Sequence, residues 1–97
     1  MRIVLVAEAA QEFEDAVAWY EEQQSGLGRR LRDEIDLHLR WISVNPDMPR
    51  LRPGGYRRVN LRVFPYYLAY IVHNAQIWVL AVAHTYRKPE YWIGRRS

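Results

Sequence analysis

Guanidinium groups interleaved with aromatic rings are the most chemically suggestive feature of this chain. Arg57, Arg58 and Arg62 fall in one short segment and Arg50 and Arg52 in the loop before it, with Arg87, Lys88, Arg95 and Arg96 near the end. Tyr66, Tyr67, Tyr86, Tyr91 and Trp92 lie among them. Arginine presents a planar fork of donors that matches phosphate or carboxylate, and aromatic faces stack on bases or on partner side chains. The set suits single-stranded nucleic acid or an acidic protein segment, and composition does not separate the two.

Other chemistries find less support. Glu8, Glu12, Asp15 and Glu22 could supply a carboxylate pair for acid–base work, but on a helix flank they read as a solvated face. His38, His73 and His84 are too scattered for a metal-ligand motif, so no metal is expected. Ser25, Ser43, Ser97 and Thr85 are the whole supply of hydroxyl nucleophiles, and none lies in a nucleophile-elbow context. Gly54-Gly55 precedes a strand rather than opening a helix, so a phosphate loop is not expected, nor any cofactor. The chain has no cysteine, which removes thiolate chemistry and disulfides and fits a reducing cytoplasm.

The elements that must position the arginines follow from periodicity. Arg2 to Val6 is a short apolar strand. Phe13, Ala16, Val17 and Tyr20 recur at helical spacing within an acidic stretch, predicting a helix from about Glu8 to Gln24. Ser25-Gly26-Leu27-Gly28 breaks it, and Leu31, Ile35, Leu39 and Ile42 carry a second helix to about Val44, before Asn45-Pro46. Alternation predicts a strand from Tyr56 to Val63 that sends Arg58, Asn60 and Arg62 to one face. Tyr66 to Val72 and Ile77 to Ala83 make two more, joined by a hairpin at residues 73–76. The last strand is nearly all apolar and should be central.

The expected architecture is α+β, an N-terminal strand, a helical hairpin and a three-stranded antiparallel meander, with both helices on one sheet face. Its 97 residues suit one domain, residues 1–97. The sheet face away from the helices should then be an open, arginine-bearing surface. Charge divides along the same line. Residues 1–49 hold five bases against ten acids, a net −5, whereas residues 50–97 hold nine bases against Glu90 alone, a net +8. No apolar run is long enough to span a membrane, and the N-terminus turns acidic too soon for a signal peptide.

Three segments in order carry a family resemblance: Phe64-Pro65-Tyr66-Tyr67-Leu68-Ala69-Tyr70, then Ile77 to His84, then Arg87-Lys88-Pro89-Glu90-Tyr91-Trp92. Together they resemble the C-terminal signature of RelE/ParE-type toxins of bacterial type II toxin–antitoxin systems. Asp15 to Tyr20, the Asn45-Pro46 helix end, Pro49 and the Arg57-Arg58 strand are similar as well. The resemblance implies a helical hairpin on a twisted antiparallel sheet and neutralisation by a cognate antitoxin in a hetero-oligomer.

The branches of that family differ in target. RelE-like toxins cut mRNA in the ribosomal A site, using basic residues on the sheet for the phosphate and, in some members, a C-terminal tyrosine as base. On that pattern Arg58 falls at an expected basic position and Tyr91 near the tyrosine, but Asn60, Tyr67 and Thr85 stand where further cations are expected. Loss of one such group commonly costs several kcal/mol of transition-state stabilisation. The His84 to Trp92 pattern is more similar to the ParE branch, which implies poisoning of DNA gyrase by protein contact, with Arg57, Arg58, Arg62, His84, Arg87 and Trp92 forming or supporting the active surface. The alternative is a ribosome-dependent endoribonuclease using Arg58, Arg62 and Arg87 for phosphate and Tyr91 or His84 for proton transfer, and a weaker one is a non-toxic binding module. Tyr91→Phe is expected to cripple the ribonuclease and leave a gyrase poison largely intact, a split that parallel mRNA-cleavage and supercoiling assays would read directly.

Overall fold

The computed structural model of the chain describes residues 1–95, so Arg96 and Ser97 lie outside the described residues. Its elements are β1 (Arg2–Leu5), α1 (Ala7–Gln23), α2 (Leu27–Val44), β2 (Arg57–Asn60), β3 (Tyr66–His73) and β4 (Gln76–His84). The sheet order is β1-β4-β3-β2. β2, β3 and β4 form the expected antiparallel meander, and β1 joins β4 in parallel, which makes the sheet mixed. The unbroken apolar run of β4 is explained by this position, since strands on both sides and layers on both faces leave Ile77 and Val79 to Ala83 buried.

The helical hairpin rests on one close approach. α1 buries Ala9, Phe13 and Ala16, and α2 buries Leu31, Ile35 and Ile42, one stripe each. Neither helix start has a side-chain cap from its own N-cap residue. For α2 the task passes to α1, where the Glu21 carboxylate accepts the backbone N–H groups of Gly26 at 2.9 Å and Gly28 at 3.0 Å. A carboxylate there satisfies two orphan donors and complements the helix dipole. Gly28 permits it, because a Cβ at that position would stand 2.5 Å from the Val17 carbonyl oxygen and 2.9 Å from Glu21 Cβ.

β3 and β4 are joined by Asn74 and Ala75, both in the left-handed region (φ 53° and 59°), the backbone of a type I′ hairpin. Farther along, the ladder slips. Tyr70 pairs with Val79 but Ala69 pairs with Ala81, which leaves Leu80 as an extra residue and forms a β-bulge.

Two expectations are corrected. β2 stops at Asn60 rather than Val63, because Leu61 turns inward and the N–H groups of Arg62 and Val63 donate to the Glu34 carboxylate of α2 instead of a ladder. The sheet face away from the helices is also not an open arginine surface. Tyr66 meets Tyr20 of α1 on the helix side, so Tyr67 and its cross-strand partner Ala83 face the other way. Trp92 of the C-terminal tail plugs that side, only 1% exposed, its ring edge-on to Tyr56 at 4.5 Å and its Nε1–H donated to the Tyr67 hydroxyl at 2.9 Å.

Gly28→Ala is expected to destabilise the fold by about 1–3 kcal/mol through overpacking. Ala75→Gly, relieving a left-handed alanine, is expected to stabilise it by about 1 kcal/mol. Urea unfolding of the two variants beside the parent chain measures both signs.

Candidate binding cleft

A cleft of about 380 Å³ opens between α1 and the end of β4, closed on its third side by the C-terminal tail. A row of edge-to-face or tilted rings crosses it. Trp19 contacts Tyr20 (4.9 Å), Tyr20 contacts Tyr66 (6.2 Å), Tyr66 contacts His84 (5.1 Å) and His84 contacts Tyr86 (5.3 Å). The row ends in solvent on both sides, with Trp19 54% and Tyr86 89% exposed. Aromatic anchors that keep large exposed faces are the side chains that dominate protein-binding hot spots. His84 Nδ1 accepts the Tyr86 backbone N–H at 3.1 Å, so the neutral ring carries its proton on Nε2.

The floor of the cleft is a charged knot around Glu12, whose side chain is only 16% exposed. Its carboxylate accepts the Val82 N–H (3.1 Å), the Tyr91 hydroxyl (2.5 Å) and Arg95 Nη1 (2.8 Å), and Arg87 Nη1 stands 3.7 Å away. Arg87 also lies over the Tyr91 ring at 3.8 Å, with Arg95 at 5.1 Å, both within the range of cation–π attraction. Burial, then the hydrogen bond to Glu12 and its charge, push the Tyr91 phenol well above its ordinary range, against the opposing pull of Arg87 and Arg95. A phenol in that state holds its proton and is a poor general base.

Of the residues singled out in the sequence, His84, Arg87 and Tyr91 come together here with Tyr66, Tyr86 and Arg95. Arg57, Arg58, Arg62 and Trp92 go elsewhere. Arg57 is tied to the loop after α2, donating to the carbonyls of Pro49 (2.6 Å) and Asp47 (3.2 Å), with the Asp47 carboxylate at 3.6 Å. Arg58 lies on the face opposite the helices, its guanidinium 3.8 Å over the Tyr67 ring and its Nε–H donated to Asn60 Oδ1 at 2.9 Å. Arg62 is exposed in the turn after β2, and Trp92 supports the surface from beneath. Asn60 and Tyr67 are thus occupied in holding Arg58, and Tyr67 also receives Trp92. Arg50 and Lys88 are exposed at the periphery.

Trp19 is not singled out in the sequence, and Glu12 is a candidate carboxylate there but reads as solvated. The expectation that Glu12 belongs to a solvated flank fails, because β4 outruns β1 and its bare edge draws the carboxylate in. The excess length of the last apolar segment over the first was the one available signal. Among the described residues no cluster of three or more His, Asp or Glu side chains could hold a metal, and no helix is long and apolar enough to cross a membrane. On the opposite side of α2 a second, apolar groove exposes Leu37, Trp41 and Val63. Adjoining hollows of about 510 and 400 Å³ share Leu37, His38 and Arg62.

A four-stranded mixed sheet under a helical hairpin, with an aromatic cleft and dispersed arginines, defines a small α+β protein. Residues 3–89 match the family described as ParE toxin of type II toxin-antitoxin system, parDE, and the chain belongs to that family. A solved structure, the chromosomal ParDE toxin–antitoxin system from P. aeruginosa, superposes with a TM-score of 0.76 at 16% identity, covering 87% of this chain and 95% of that one. That likeness supports the fold. No curated relative matches the sequence.

The phenols give a pH signature. Burial above all pushes Tyr70, whose hydroxyl donates to the Pro46 carbonyl at 2.7 Å, up to about 12, and Tyr91 rises as well. Both folded values lie above the unfolded value of about 10, so their contribution to stability is full below about pH 10 and is lost as pH rises through the folded values, about 12 for Tyr70. The urea midpoint is expected to hold steady up to about pH 9.5 and fall beyond about pH 10, with a shallower fall in Tyr70→Phe. A midpoint that ignores pH across that window would contradict the assignment.

Proposed function

We propose that this chain is the toxin of a type II toxin–antitoxin pair, that it arrests growth by poisoning DNA gyrase through protein contact, and that a cognate antitoxin neutralises it. Gyrase acts on chromosomal DNA, so the reading also places the chain in the cytoplasm. The observation that carries the choice of target is the state of Tyr91. Its hydroxyl is spent on Glu12 and its ionisation is suppressed, while Asn60, Tyr67 and Thr85 occupy the positions where an RNA-cleaving relative would carry cations. Support for protein contact comes from the exposed ring row of Trp19 and Tyr86 beside Arg87.

The antitoxin has a separate seat in this reading. The groove beside α2 exposes Leu37 (57%), Trp41 (42%) and Val63 (68%), next to the unpaired outer edge of β2. A contiguous apolar patch beside a bare strand edge is an aggregation hazard unless a partner covers it.

Purified protein tested in a gyrase supercoiling assay and in a ribosome-programmed mRNA cleavage assay decides between targets. Loss of supercoiling with intact mRNA is expected, Arg87→Ala weakening the effect about tenfold, the scale of a hot-spot arginine. Antitoxin should restore supercoiling, and Trp41→Ala should require about tenfold more of it. Clean A-site cleavage with unaffected gyrase would sink the reading.

A further inference from the structure

The C-terminal tail is fixed to the sheet by a side chain standing in for a strand. β1 pairs with β4 only as far as Leu5 against Val79, whereas β4 continues to His84. Past that point the outer edge of β4 has no neighbouring strand among the described residues, and the bulge at Leu80 turns that residue's carbonyl toward the bare side. The edge is completed by side chains. Glu12 Oε1 accepts the Val82 N–H at 3.1 Å, Arg95 Nη1 donates to the Leu80 carbonyl at 3.1 Å, and the same Arg95 nitrogen closes the ring onto Glu12 at 2.8 Å. Through the other oxygen Glu12 holds the Tyr91 hydroxyl and faces Arg87.

We propose that Glu12 is a positioning residue for the toxin's target-binding surface: it clamps the tail between Arg87 and Arg95 across the bare end of β4, and so sets where Arg87 and Tyr91 stand in the cleft. The proposal rests on the toxin reading, but its structural half stands independently. Tyr91 faces α1 and Trp92 faces the opposite side of the sheet, so the tail crosses the strand edge where Glu12 sits. Trp92 and the Tyr56–Glu90 hydrogen bond pin the tail on the far side of that crossing, and Glu12 pins it on the helix side. The orientation of Arg87, which is 57% exposed, then depends on the Glu12 carboxylate and the Tyr91 ring that Glu12 holds. A neutral amide at this position keeps the shape and one acceptor, but loses the charge that gathers two guanidinium groups.

Glu12→Gln and Glu12→Ala are the test variants, with Glu14→Gln as control, because Glu14 pairs with Arg32 on the open surface of the hairpin. Hydrogen exchange of the full-length chain should show the amides of Val82 and of residues 91–95 exchanging at least tenfold faster in Glu12→Gln, those of α2 and β3 unchanged. Growth arrest on induction should drop at least tenfold in Glu12→Gln and further in Glu12→Ala. Glu12→Gln should stay folded, with a lowered unfolding midpoint because Arg95 loses its counter-charge, and should still bind the antitoxin near the parent value, a combination with lost growth arrest that a merely structural role would not give. Parent-like exchange in the tail overturns the proposal, as does faster exchange with undiminished growth arrest. Loss of the antitoxin complex together with toxicity also overturns it, since Glu12 would then be holding the whole fold. Should the parent chain itself fail to arrest growth, the toxin reading is what fails, and the exchange pattern still decides whether Glu12 holds the tail.

Discussion

The mismatch in length between β1 and β4 governs much of this structure. A four-residue strand cannot cover a nine-residue one, and the uncovered stretch of β4 leaves backbone groups at the side of a sheet that is otherwise buried. Leaving one such group without a partner costs about 1–3 kcal/mol. Glu12 and Arg95 supply the partners, and each is drawn from water to do so, which requires them to neutralise one another. From that constraint follow the inward lean of a helix carboxylate, the docking of the tail and the charged floor of the cleft.

The tail in turn completes the core. Ala81 and Ala83 pair with Ala69 and Tyr67 on the side of the sheet away from the helices, and small residues there leave room for a large ring. Trp92 fills it, enclosed by Tyr56 and Tyr67, and Tyr56 donates to Glu90 at 2.6 Å to bind the tail a second time. The chain therefore has helices on one side of its sheet and an aromatic plug on the other, a three-layer arrangement within fewer than a hundred residues. The cleft arises where the tail passes from the second layer to the first.

Local pattern was enough for the skeleton. Helical spacing of apolar residues, a glycine break and a terminal Asn-Pro located α1 and α2, and the unbroken apolar run of β4 identified a strand covered on all sides, because these signals are written in neighbouring residues. The site was legible only in fragments. Glu12 has the neighbours of a solvated acid, and its burial is decided by a strand some seventy residues away in sequence. Trp92 looks like any aromatic in a basic tail until the alanines across the sheet are known to leave space for it. The end of β2 was misplaced for the same reason, since the carboxylate that takes over from the ladder belongs to α2.

Distribution of charge points the same way as the placement of Tyr91. The C-terminal half holds nine bases, but counting them overstates the field available to a polyanion. Arg57 is turned onto carbonyls, Arg58 is laid on a ring, Arg95 is closed into a partly buried pair, and Arg87 shares a carboxylate with it. Arg50, Arg62 and Lys88 remain exposed, in the loop before β2, the turn after it and the C-terminal tail, and none of them lines the aromatic cleft. A protein that holds a nucleic-acid backbone needs several unpaired cations spaced along a continuous track, because its affinity comes from displaced counterions. Here the guanidinium groups orient rings, loops and the tail, and what they build is a shaped aromatic surface. Shape with a few fixed charges is the means by which one protein recognises another, and that physical ground supports the proposed reading of a protein target over a phosphate chain.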